Sequence, residues 1–91
     1  MKEVHEIMRS NILDVNLYVV KERLTGENSP WIYHGKIIIK NKENAFFYDE
    51  NDEYLECFTI KSPTGTKVQF LKKLLKYHEI AVKSKMLRSK K

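Results

Sequence analysis

Ninety-one residues, 42% of them hydrophobic and 32% charged, make one globular domain with a single modest core, and three Gly and two Pro exclude a loop-rich or low-complexity chain. A lone Cys57 excludes an intrachain disulfide, and the longest aliphatic run, Ile37-Ile38-Ile39, falls far short of the ~20 residues a membrane helix needs. The net charge of +5 is unevenly laid out, with −3 over residues 1–61 and +8 over residues 62–91, so the C-terminal third is expected to meet something anionic.

The opening, MKEVHEIMRS, lacks the apolar stretch of a secretory signal, and a cytoplasmic location without membrane contact is expected. Val4, Ile7 and Met8 stand at i, i+3 and i+4, which predicts a short N-terminal helix of about two turns, with a frayed or extended start as the alternative. From Leu13 the period changes to two: Leu13, Val15, Leu17 and Val19 alternate with Asp14, Asn16 and Tyr18, predicting a half-buried strand to about Leu24. Thr25-Gly26-Glu27-Asn28-Ser29-Pro30 breaks it.

A second strand is predicted over 31–40, with Trp31, Tyr33, Ile37 and Ile39 sharing a face with Gly35. Gly35 in mid-strand marks a bulge or the close approach of another side chain. Asn41 to Asn44 is a polar turn, Ala45 to Tyr48 a short aromatic strand, Asp49 to Glu53 an acidic, solvated turn, and Tyr54 to Ile60 a fourth strand. Connections this short require antiparallel neighbours.

The last element is an amphipathic helix. Val68, Leu71, Leu74, Leu75, His78, Ala81 and Val82 fall on one side, and Lys72, Lys76, Glu79 and Lys83 on the other. Lys85 would return to the apolar side, so the packed helix is predicted to end near Val82 to Ser84, closing a domain over 1–84 and leaving 85–91 as a flexible basic tail. The fold class is α+β: a four-stranded antiparallel β-meander packed on a C-terminal helix.

The stretch KSPTGTKVQF (61–70) joins strand to helix and has the look of a phosphate-binding loop. A P-loop needs Gly, four residues, Gly, then Lys and Ser/Thr; here Lys67 comes one place late, Val68 follows it, and Ile60 stands where the first Gly belongs. Thr66 and Gln69 match a capping box instead, each side chain bonding the other's backbone N–H. The helix N-terminus beside Lys67 remains a simple anion site.

No constellation for catalysis is present. His5, His34 and His78 lack metal spacing, Cys57 has no Cys-x-x-Cys companion, and an EF-hand loop from Asp49 would carry Tyr54 and Ile60 where Gly and Glu belong. Cys57 and His34 form a nucleophile–base pair only if the fold brings them together, and His78 on the apolar face reads as a hydrogen-bonded core histidine. The expectation is a non-enzymatic binding protein without cofactor or metal.

Nucleic acid is the favoured partner. Lys72, Lys76 and Lys83 form a stripe with Lys67 and Lys73 at its margin, and Lys85, Arg88, Lys90 and Lys91 extend it into the tail. Tyr18, Tyr48, Tyr54 and Phe58 are the aromatics expected to face a partner from the open side of the sheet. The alternative is a protein-binding inhibitor or adaptor docking through the sheet face or an edge strand, for example a phage or mobile-element antagonist of a host defence or nucleic-acid-handling protein. A free sheet edge also makes a homodimer compatible with the sequence. The layout of strands, a Tyr-Asp-Glu turn and a basic helix is loosely similar to small archaeal chromatin proteins, but no binding motif is shared and no residue role is carried across.

Overall fold

A computed structural model, describing residues 1–24, 28–61 and 65–89, arranges the chain as β1 (Lys2–Ser10), β2 (Val15–Arg23), β3 (Trp31–Lys40), β4 (Asn44–Tyr48), β5 (Tyr54–Thr59) and α1 (Lys67–Ser89). The strands form one antiparallel sheet in chain order, β1-β2-β3-β4-β5, with α1 across one face. The α+β class and meander are as expected, with five strands in place of four. Thr25, Gly26, Glu27, the Ser62-Pro63 dipeptide, Lys90 and Lys91 lie outside the described residues.

The added strand corrects the predicted N-terminal helix. Lys2–Ser10 pairs along β2, with Val4 opposite Val20 and His5 opposite Val19, and the register shifts between Glu6 and Met8. Ile7 is the extra residue of that bulge, so the i, i+3, i+4 spacing of Val4, Ile7 and Met8 is an interrupted strand period. Burial separates them, since Val4 lies in the core while Ile7 and Met8 are exposed. Pairing with β2 decides the conformation over nine residues too short and polar to hold a helix unaided.

Inward-facing Val4, Tyr18, Val20, Ile37, Ile39, Ala45, Phe47, Leu55 and Ile60 meet Leu74 and Ala81 of α1. Phe47 is the centre, fully buried, with Phe58 at 5.4 Å and Tyr77 at 6.4 Å between ring centroids. Phe70, which packs edge-on to Tyr18 at 6.2 Å, and Tyr77 add to the helix face that periodicity outlined. Val68, placed on that face by its spacing, is 61% exposed. Packing begins at Phe70 and Leu71, one turn into the helix.

Gly35 is where β3 turns over. Its φ is +141°, and a Cβ there would stand 2.1 Å from the Tyr48 carbonyl oxygen and 2.7 Å from His78 Nε2. Both readings of this glycine hold: the β2–β3 register shifts between Val20 and Lys21, and the His78 imidazole lies against the backbone. The bulge reverses which side the following positions face. Ile37 and Ile39 point into the core, whereas Trp31 and Tyr33, opposite Arg23 and Lys21, point away from it. The expectation that all four share a face with Gly35 is therefore corrected.

His78 is buried, and its Nε2–H donates to the Tyr48 carbonyl at 3.0 Å, while Nδ1 has no hydrogen-bond partner among the described residues. Burial pulls its pKa below the usual 6.5. A base with a depressed folded pKa contributes stability above its unfolded pKa and loses it as pH falls toward the folded one. The unfolding free energy of the wild type, measured by urea titration, is expected to fall as pH drops below 6.5, at up to about 1.4 kcal/mol per pH unit, relative to that of His78→Leu. Parallel profiles for the two proteins would refute this role.

Both hydrogen bonds of the capping box form: Gln69 N donates to Thr66 Oγ1 at 3.2 Å, and Thr66 N donates to Gln69 Oε1 at 3.3 Å. The Gln69 carboxamide swings over Gly65, where a Cβ would meet Oε1 at 2.4 Å. Thr66→Ala is expected to cost about 1 kcal/mol in a urea titration, and Thr66→Ser to restore most of it.

Candidate nucleic-acid interface

Two cations of the predicted anion-binding set are held by carboxylates of the fold. Lys67 Nζ lies 2.7 Å from Glu6 Oε2, and Arg9 Nε donates to Oε1 of the same carboxylate at 2.9 Å. The Lys67 hydrogen bond, ahead of a smaller contribution from Arg9, holds the Glu6 carboxyl below the usual range despite the opposing effect of desolvation. A groove of about 500 Å3 between the β1–β2 turn and the start of α1 has Arg9, Lys67 and Lys42 on its walls, with two of those cations closed on Glu6.

Lys85 Nζ donates to Asp49 Oδ2 at 2.6 Å and to Glu53 Oε2 at 3.0 Å. Asp49 is buried, and its Oδ1 accepts the N–H of Asn51 and of Glu53, each at 2.9 Å. Its carboxyl is held below the usual range, chiefly by Lys85 and then, after the opposing effect of desolvation, by the two backbone donors; the Lys85 ammonium is pushed up in return. Asp49 is thus a buried organiser of the β4–β5 turn, where the sequence reading had a solvated end. Lys85 does return to the inner side of the helix, as its position demands, but it finds a carboxylate there and the helix runs on to Ser89.

What remains on the outer face of α1 is a smaller, uncompensated set. Lys72, Lys73, Lys76 and Lys83 are exposed, with no carboxylate within 4.0 Å among the described residues, and Arg88 is exposed in the last turn. Lys72 to Lys83 spans about 16 Å of helix. Glu79 sits among them, also exposed.

Of the four aromatics expected to face a partner, two do so. Tyr18 is 3% exposed and packs under α1, because its position opposite Ile37 belongs to the covered side. Phe58 lies opposite Ala45 and is clamped between Phe47 and Tyr77, again beneath the helix. Tyr48 and Tyr54 are opposite one another on the uncovered face, with ring centroids 5.8 Å apart.

The register builds that face in rows running straight across all five strands. One is Met8, Leu17, Ile38, Phe46 and Cys57; the next is His5, Val19, Lys36, Tyr48 and Tyr54. Phe46 joins the tyrosines, 6.5 Å from Tyr54. Cations lie against the rings: Lys36 Nζ is 5.0 Å from Tyr48, Lys40 Nζ 5.3 Å from Phe46, Lys21 Nζ 4.6 Å and Arg23 Cζ 4.1 Å from Trp31. Phe46 and Trp31 were not singled out from sequence. Strand alternation from Tyr48 would have found Phe46, but only the bulge at Gly35 reveals Trp31.

Cys57 is exposed, and the register sets it two strands across and four residues along from His34, roughly 16 Å by strand geometry. His34 bonds Glu22 at 2.9 Å instead, so the two do not form a nucleophile–base pair. No cluster of three His, Cys, Asp or Glu side chains that could hold a metal ion occurs among the described residues, and no helix is long and apolar enough to cross a membrane.

Helix lysines and sheet aromatics therefore occupy opposite sides of the molecule. Comparison with family models, with curated proteins and with solved structures finds no match.

Proposed function

We propose that this protein binds nucleic acid through the outer face of α1, where Lys72, Lys73, Lys76 and Lys83 neutralise backbone phosphates and Arg88 extends the track. The observation that carries this is the contrast in pairing: Lys67 and Lys85 close on carboxylates, while these four lysines have none within 4.0 Å among the described residues. Lysines without a carboxylate partner are available to phosphates, and each phosphate they neutralise releases counterions condensed on the nucleic acid. Because the aromatic side of the sheet faces away, the helix contact is electrostatic and indifferent to sequence.

Anisotropy of a labelled DNA duplex over a salt series tests it. Four phosphate contacts give a slope of log K against log salt of roughly −3.6, and Lys72→Gln/Lys76→Gln/Lys83→Gln reduces its magnitude by about 2.7. Lys67→Gln leaves it unchanged. Absence of binding at low salt would end this reading.

A second reading, a protein-binding inhibitor or adaptor, is supported by the β1–β2 turn. Ile12 and Leu13 are 96% and 71% exposed at its tip, beside exposed Ile7 and Met8. The turn is held in shape by Leu13 N donating to Ser10 Oγ at 3.2 Å and by Asn41 N donating to the Asp14 carbonyl at 3.0 Å. A stoichiometric partner captured by the wild type and lost with Ile12→Asp/Leu13→Asp would favour it.

A further inference from the structure

We infer that the uncovered face of the sheet is a second nucleic-acid site, one that takes single strands by stacking unpaired bases on Phe46, Tyr48 and Tyr54. Three rings from two adjacent strands form a contiguous cluster, with Tyr54 55% exposed at its outer edge. Lys36 and Lys40, four residues apart on β3, flank it about 13 Å apart along the strand, each resting on a ring, with Lys36 also 4.0 Å from the exposed Asp52 carboxylate at the rim. Trp31 with its two cations repeats the arrangement farther along the face.

Charge and shape choose the occupant. A base laid on a ring displaces the lysine head by a change of rotamer, and the head then meets the phosphate beside that base. A duplex keeps its base faces buried in the stack and presents only groove edges and backbone, so the rings gain nothing from it. A second copy related by a two-fold axis would press this cationic face against itself. An unpaired strand, RNA or DNA, supplies both the aromatic faces and the negative charge.

This site is independent of the helix lysines, and the test separates them. Labelled dT15, rU15 and a 15-base-pair duplex are titrated against wild type, Tyr54→Ala, Lys36→Gln/Lys40→Gln and the helix triple variant, with folding checked by circular dichroism. Tyr54→Ala and the strand double variant are expected to weaken dT15 and rU15 binding about tenfold and leave the duplex untouched. The helix triple variant is expected to show the reverse. Fluorescence of Trp31, the chain's one tryptophan, should respond to the single strands and not to the duplex. Single-strand affinity unchanged by both sheet variants overturns the inference. So does a wild-type dimer in sedimentation that Tyr54→Ala dissociates, since the face would then belong to a second copy. Equal preference for dT15 and rU15 supports stacking without recognition of the 2′-hydroxyl; a clear preference for rU15 supports an RNA site.

Discussion

Gly35→Ala should lower stability by roughly 4 kcal/mol, the sum of a backbone strained at positive φ and a side chain with no room. The methyl group would sit 2.1 Å from the Tyr48 carbonyl oxygen, a backbone atom of the neighbouring strand that cannot rotate away. It would also press on His78 Nε2, 2.7 Å distant, and so on the hydrogen bond that joins helix to sheet. The φ of +141° adds strain for any residue with a Cβ. For a domain of this size the loss corresponds to a fall in melting temperature of roughly 15–30 °C. Gly35→Ala/His78→Ala separates the causes: with the imidazole gone the carbonyl clash persists, so no rescue is expected. A loss under about 1 kcal/mol in Gly35→Ala would show that β3 accommodates the methyl group. The consequence reaches the surface, because the bulge at Gly35 is what turns Trp31 to the uncovered face.

Asp49→Ala is the second large effect, about 3 kcal/mol. It removes the acceptor of two backbone N–H groups and of Lys85 at a buried position, leaving donors without partners. Asp49→Asn retains a carbonyl oxygen for the Asn51 and Glu53 amides and gives up only the anion facing Lys85, so a smaller loss is expected. The pH dependence has the opposite sign from that of His78. Asp49 has a folded pKa below its ordinary 3.8, so its contribution is complete above that value and disappears as pH falls through the folded pKa. Wild type and Asp49→Ala should therefore converge in stability in strong acid. Curves that stay parallel from neutral pH to pH 2 would refute the assignment.

Periodicity was sufficient for most of the fold because each strand and the helix bury one face. The 3.6-residue period from Leu71 to Val82 is a local consequence of that burial, whereas in β2 the period of two marked a strand but not its buried side: Tyr18 and Val20 enter the core, and Leu17 and Val19 of the apolar set lie on the uncovered face. The capping box was equally legible, since Thr66 and Gln69 act on each other three residues apart. Short polar connections left the antiparallel meander as the one topology available.

The site was less legible, and for definite reasons. A charge count treats every lysine alike, while the fold brings Glu6 to Lys67 across 61 residues and Asp49 to Lys85 across 36. Tyr18, Phe58, Tyr48 and Tyr54 have the same chemistry in the sequence, and only the side on which α1 settles separates the first two from the others. A single-residue bulge does the rest, since a shift of one position exchanges the two faces of a strand. The sequence by itself determined the α+β class, the order of the elements and the basic character of the C-terminal third. Tertiary structure alone decided which cations remain free and which rings face outward, because both depend on contacts between residues far apart in the chain.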